Sequence, residues 1–448
     1  RTPRGAGRRT AQSRPRTHSR DARTRAVTGR RRDPLPQSGL SAVREAVDDA
    51  DAIGFVHVGG RHDPDRRYLS RLDAPDREAA LVFMRSTDNH PARAIYCVPA
   101  ETTADVASFV ESDNDLERLD ADIERRVDSR APRTATGQQV RSVLADGLPT
   151  AGGTLLVPRG LPHDAAVFLQ AAGYELQSTP ALETARAAKT PAERDRLRAV
   201  QTAATAGLAR AEAVLAASES GTEGLVFEDE PLSTARLARL ITRELAAAGV
   251  SPAANTTVAA ETASDHAGTV PDTAGTAPDD PLPAGRPIRL AVAPRGPAGY
   301  YGYLVRTVAV DSDGGWERRA YVAAAAGLDA AVDHAAPGVD VATVASEAAA
   351  EVGAYGFAPP DAEPTRARST ASAHGVGLST HELPIPGRGR EQSELRPGSV
   401  IAVSAGVTDP DRGTIRLGTL CSVTESGADR LAEYPTSLSP VDRLDETD

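Results

Sequence analysis

Ser372-Ala373-His374-Gly375-Val376-Gly377-Leu378-Ser379-Thr380-His381-Glu382-Leu383-Pro384 decides how the rest of the chain is read. Two histidines stand seven residues apart with two glycines between them, and a Glu and a Pro follow. Glycine lets the backbone come close to a neighbour or take positive φ. Imidazoles bind metals, move protons or hold substrates. Spacing alone leaves a second reading open, in which both histidines are simply hydrogen-bonded near a turn.

The chain has 448 residues, enough for two domains with buried cores. It contains no run of about 18 apolar residues, so no membrane span is expected, and no apolar signal-peptide core lies near the start. Cys97 and Cys421 sit in apolar runs and read as small core residues, not as a disulfide framework. A cytoplasmic protein is the expectation.

Charge is unevenly spread. Residues 1–40 hold twelve Arg against Asp21 and Asp33, a net of +10; the whole chain is −11, so the remainder carries −21. Lys189 is the single lysine. An acidic, Ala-rich, nearly lysine-free body resembles the proteins of salt-loving archaea, whose carboxylates keep the surface hydrated. Residues 1–40 lack apolar periodicity and are expected to be a disordered Arg-rich tail. They contain no aromatic residue and so no stacking platform, and nucleic-acid binding is not expected.

From residue 41 the pattern becomes globular. Short helices are expected over 41–50, 99–112 and 164–172, with strands over 53–58, 79–84, 94–98 and 154–158, an α/β alternation that implies a mixed sheet. His57, His62, His90 and His163 read as ordinary surface or turn histidines. Thr190-Pro191-Ala192-Glu193 is a capping box with Pro at the first helical position. Leu197, Val200, Ala204, Leu208, Ala211 and Leu215 then recur at helical spacing. A second helix runs from Ser233 to Gly249. Strands are expected over 256–260, 287–293, 301–310 and 399–404, helices over 315–335 and 341–355, and a hairpin arm over 413–423.

H-G-x-G-x-x-x-H-E-x-P, spelled by His374 to Pro384, resembles the active-site signature of the pita-bread metallopeptidases: Xaa-Pro aminopeptidase, prolidase, methionine aminopeptidase and their metal-free relative creatinase. The resemblance implies an α+β chain. A creatinase-like N-terminal α/β domain (41–186) precedes a pita-bread domain (187–430), and 431–448 form a C-terminal tail. Lys189-Thr190-Pro191-Ala192-Glu193 resembles the family's opening of the catalytic domain, and Arg67-Tyr68-Leu69-Ser70 a turn in the N-terminal one. His266 stands where the family has a substrate-orienting His.

The family's two metals, Mn or Co, are held by two Asp, one His and two Glu. A dinuclear site needs such converging oxygen ligands. Within otherwise matching motifs, the first Asp position holds Ala291 and the second, in Gly299-Tyr300-Tyr301-Gly302-Tyr303-Leu304-Val305-Arg306-Thr307, holds Tyr303. The His is His374. The two Glu positions hold Ser404 and Gly418. Four of five expected ligands are thus replaced by residues that offer hard cations no strong ligand.

Three readings follow. The first is an Xaa-Pro aminopeptidase/prolidase-family protein that is a metal-free pseudoenzyme without a cofactor. Its pocket would bind a peptide or a small anionic molecule. His266, His374 and His381 would be vestigial or substrate-binding there, beside Tyr303, Arg306, Glu382, Ser404 and Arg416. The arginines have a competing reading as internal ion pairs, for example Arg416 with Glu382. The second is an active hydrolase, either metal-dependent with differently placed ligands or metal-free like creatinase. A Ser404 nucleophile would need His374 or His381 in hydrogen-bond reach and an orienting acid such as Glu382. The third is a protein-interaction module. A homodimer is expected by analogy with the family.

Overall fold

The computed structural model describes residues 39–441 apart from 73–76, 89, 103–105, 107–108, 110–121, 131–133, 149–151 and 261–278. All described residues fall in one compact unit.

The N-terminal part runs α1 (Gly39–Asp49), β1 (Gly54–Gly59), α2 (Pro64–Ser70), β2 (Ala79–Met84), β3 (Arg93–Pro99), β4 (Glu124–Arg130), α3 (Thr136–Gly147), β5 (Gly153–Val157), α4 (His163–Ala171), β6 (Tyr174–Ser178) and α5 (Ala181–Arg186). Its strands form one mixed sheet, ordered β4-β3-β2-β1-β5-β6. β1–β2 and β2–β3 are antiparallel, while β3–β4, β1–β5 and β5–β6 are parallel. Every residue of β1 and β2 is buried, which is why β2 reads as an unbroken apolar run and β1 as one interrupted only by His57.

The edge strands β4 and β6 were not expected. Glu124-Arg125-Arg126-Val127-Asp128-Ser129-Arg130 is a charged edge, which leaves no apolar pattern to read. Of the helix expected over 99–112, the structure shows a 3-10 turn at Ala100–Thr102, and most of the remainder lies outside the described residues. His57 also departs from expectation. It is buried in β1, with Nε2 2.7 Å from Oδ1 of Asp63, the carboxylate that also caps α2.

The second half opens with α6 (Pro191–Ala216), whose capping box forms as expected. A small sheet of β7 (Glu219–Gly221), β8 (Gly224–Phe227) and β9 (Glu230–Pro231) leads to α7 (Thr234–Ala247). Then come β10 (Thr256–Ala260), β11 (Ile288–Val292), β12 (Leu304–Val308), α8 (Trp316–His334), α9 (Val341–Ala354), β13 (Arg368–Gly375), β14 (Val400–Asp409), β15 (Gly413–Val423) and β16 (Ala428–Arg430). The antiparallel sheet is ordered β10-β11-β12-β15-β14-β13, with β16 beside β15.

Strand alternation splits this sheet into two faces. Leu290, Val292, Leu304 and Val308 pack under α6 and α7, and Val403, Ala405, Val407 and Leu417 under α8 and α9. Ala291, Val305, Ala402 and Leu420 turn the other way, into a core that also contains Phe83 and Tyr96 of the N-terminal sheet. The site lies on this second face. It depends on β13, which was not expected because its Ser, Thr and His alternate with small residues and carry little apolar signal.

Candidate functional site

Register fixes which side chains meet. Ala291 pairs with Val305, Val305 with Gly418, Gly418 with Ser404 and Ser404 with Ser372, one row across five strands. The next row on the same face brings His374 opposite Ala402 and Ala402 opposite Leu420. Tyr303, just before β12, lays its ring over Gly418. A Cβ at Gly418 would lie 2.9 Å from Tyr303 Cε1 and 3.1 Å from Ser404 Cβ. All five expected ligand positions, Ala291, Tyr303, His374, Ser404 and Gly418, therefore gather on one face, and none of the five side chains is a carboxylate.

A polar cluster fills the row instead. Arg416 donates to Ser404 Oγ from Nε (3.1 Å) and Nη2 (2.8 Å), and Nη2 also donates to Ser372 Oγ (3.0 Å). The two serine hydroxyls are 2.9 Å apart. Beside them the His374 ring meets Tyr303 edge-on, centroids 6.4 Å apart, and stacks on the exposed His381 ring at 4.0 Å and 16°. His374 Nδ1 lies 3.2 Å from the Gly375 carbonyl, which only accepts, so Nδ1 carries the proton and Nε2 the lone pair. Burial pushes the His374 pKa down to about 4, helped by His381 and Arg416 and opposed by the Gly375 carbonyl. The ring is neutral at neutral pH.

This donor set does not fit a dinuclear metal site. One neutral imidazole, a phenol and a hydroxyl stand beside a guanidinium, and hard divalent cations need several anionic oxygens. Among the described residues no group of three or more His, Cys, Asp or Glu could hold a metal ion.

Other expected site residues lie elsewhere. Arg306 points to the helix-covered face and is buried, donating to the carbonyls of Val305, Gly418 and Tyr434. Glu382 turns under the loop, where Oε1 lies 2.6 Å from Lys189 Nζ and Oε2 3.8 Å from Arg186 Nε. The Arg416–Glu382 ion pair weighed from sequence is not formed: each has other partners. Nor is Ser404 placed as a nucleophile, since its hydroxyl is bound by Arg416 and Ser372 and not by an imidazole. His266 lies outside the described residues.

The surviving motif letters have structural work that needs no metal. A Cβ at Gly375 would collide with the Leu383 carbonyl, and one at Gly377 with the Glu382 carboxylate. Both glycines thus serve close approach, and neither takes positive φ. Gly299 does, at 89°, beneath the Arg67 side chain. Tyr300 donates its hydroxyl to Glu193 at 2.7 Å, and Arg71 reaches the same carboxylate at 3.0 Å. Ser372, Arg186 and Lys189 were missed from sequence. The single lysine of an arginine-rich chain, one residue before a capping box, was the available signal.

The sequence profile of metallopeptidase family M24 matches residues 195–425, about half of the chain. A Xaa-Pro dipeptidase of Pyrococcus horikoshii is 27% identical over 139 residues, 31% of this chain and only 37% of that relative's length. Among solved structures, the prolidase of the same organism superposes with a TM-score of 0.67 at 18% identity, over 89% of this chain and 99% of the other. A dipeptidase from Mycobacterium ulcerans gives 0.60 at 24% identity, over 90% and 96%. These likenesses show the two-part α+β fold, with the pita-bread architecture in the second half.

Proposed function

The chain belongs to metallopeptidase family M24, and from that premise we propose that it is a metal-free member whose former catalytic face is a binding pocket for a peptide or a small anionic molecule. One observation carries the reading. The five positions at which the family resemblance expects metal ligands lie on one face, yet four of them hold Ala291, Tyr303, Ser404 and Gly418, and the Arg416 guanidinium bonds the Ser404 and Ser372 hydroxyls there. The replacements fit one another: the Tyr303 ring uses space that a side chain at Gly418 would need. Four unneutralised carboxylates here would repel one another, so losing them together suits a face without cations.

In this reading His374, His381, Tyr303, Ser404 and Arg416 line the pocket, while Arg306 and Glu382 hold the scaffold around it. His266 remains a candidate lining residue. No helix among the described residues is long and apolar enough to cross a membrane. A cytoplasmic homodimer, with an acidic body adapted to high salt, completes the proposal.

The test is metal content and Xaa-Pro dipeptide hydrolysis on one sample purified in high salt, with Mn²⁺, Co²⁺ and Zn²⁺ each offered. The expected result is no stoichiometric metal and no turnover. Two bound metals per chain with hydrolysis of Ala-Pro would overturn the reading and establish an active peptidase.

A further inference from the structure

We propose that this face has inverted its charge preference and now binds a small oxyanion, anchored by Arg416 and flanked by Ser372 and Thr370. The inference rests on the pocket reading above and names its ligand class. Arg416 is half-buried, and its side-chain contacts among the described residues are the hydroxyls of Ser404 and Ser372. No carboxylate pairs with it there. Nε and Nη2 both converge on Ser404, which fixes the guanidinium plane and leaves Nη1 without a partner among the described residues. A partly desolvated cation without a counter-ion is costly, and a bound anion removes that cost.

A second observation points the same way. Thr370 pairs with Gly406, and Gly406 pairs with Arg416, so Thr370 and Arg416 share one row of the same face. Thr370 Oγ1 is buried with no hydrogen-bond partner among the described residues. That hydroxyl is closed to solvent as it stands, and it can donate to an anionic oxygen once its side chain turns toward the guanidinium. The acidic body sets the size of the ligand. With −21 over residues 41–448, its field repels polyanions more than small, weakly charged anions, which are the ones a half-buried arginine can hold.

The experiment titrates the full chain with sodium acetate and, separately, inorganic phosphate at constant ionic strength against chloride, reading thermal shift and calorimetric heat. Saturable binding of either is expected. Arg416→Gln weakens it roughly ten-fold or more, the loss of one charged hydrogen-bonding partner. Ser372→Ala leaves the guanidinium in place and weakens it about three-fold, and this variant decides the matter if Arg416→Gln does not fold. Preference for acetate identifies a carboxylate site, and preference for phosphate a phosphate site. Saturable binding of neither anion, or binding unchanged in both variants, overturns the proposal. A parallel Mn²⁺ titration separates the two levels. Metal uptake defeats the metal-free reading, whereas no metal and no anion defeats only this inference.

Discussion

Lys189 Nζ lies 2.6 Å from Glu382 Oε1, and both side chains are almost wholly buried, at 2% and 3% exposure. Arg186 approaches the same carboxylate at 3.8 Å and pairs with Asp65 of α2 at 2.9 Å. The chain's single lysine therefore sits where the junction between the two halves meets the loop carrying His381. Breaking one side of a buried pair leaves the other charge uncompensated, at a cost of about 3–5 kcal/mol. Lys189→Met is expected near the lower end, because Arg186 still faces Glu382. The double variant with Glu382→Gln should recover part of that loss. Denaturant midpoints for the four members of the cycle give the coupling, and strictly additive losses would show that the pair is not coupled.

Glu193 closes the capping box of α6 and also receives the Tyr300 hydroxyl and Arg71. Burial works to raise its pKa, but Arg71, the Thr190 N–H and Tyr300 outweigh it, and the net shift is downward from 4.5. A carboxylate with a lowered folded-state pKa contributes stability that is complete above its unfolded value. That contribution disappears as pH falls through the folded value. Stability should therefore drop below pH 4.5, and Glu193→Gln should flatten that part of the curve while lowering the plateau above it. Equal slopes for wild type and variant in urea titrations across this range would contradict the assignment.

The Tyr303 ring fills the space that a side chain at position 418 would need, and that can be tested directly. Gly418→Glu alone places its Cβ against Tyr303 Cε1 at 2.9 Å and Ser404 Cβ at 3.1 Å. Overpacking of this kind costs about 1–3 kcal/mol. The same change should cost less in a Tyr303→Asp background, where the ring is gone. Only the full set, Ala291→Asp, Tyr303→Asp, Ser404→Glu and Gly418→Glu beside His374, is expected to take up Mn²⁺ or Co²⁺, read by metal analysis of desalted protein. Uptake by the Gly418→Glu single variant would show that the positions do not act as a set.

The amphipathic helices, the capping box and the buried strands β1 and β2 were legible because burial wrote their periodicity into the sequence. β4, β6 and β13 were not, since edge strands carry Arg, Ser and Thr where a central strand carries Val and Ile. The five expected ligand positions came from motif resemblance; strand register brings four of them to one face, and the Tyr303 ring reaches the same face over Gly418. Arg306 and Glu382 show the limit of that route. Sequence adjacency to a motif does not say which face of a strand a side chain takes, and alternation sends Arg306 beneath the helices. Ser372 was invisible for a related reason: its role depends on being opposite Ser404, a pairing across two strands that no local pattern encodes.

His374 offers a direct readout of the site's electrostatics. Burial lowers its pKa from 6.5 to about 4, with smaller contributions in the same direction from His381 and Arg416. Because the folded value lies below the unfolded one, the unfolded chain binds more protons between them, and stability falls as pH is lowered from 6.5 toward 4. Nitrogen-detected histidine spectra should place the His374 midpoint near 4 and report Nδ1 as the protonated nitrogen at neutral pH. His381→Asn and Arg416→Gln should each move the midpoint upward without restoring the ordinary value, since burial is the larger cause. A His374 that titrates near 6.5 in the intact protein would mean that the ring is solvated and the stacked arrangement with His381 is not kept in solution.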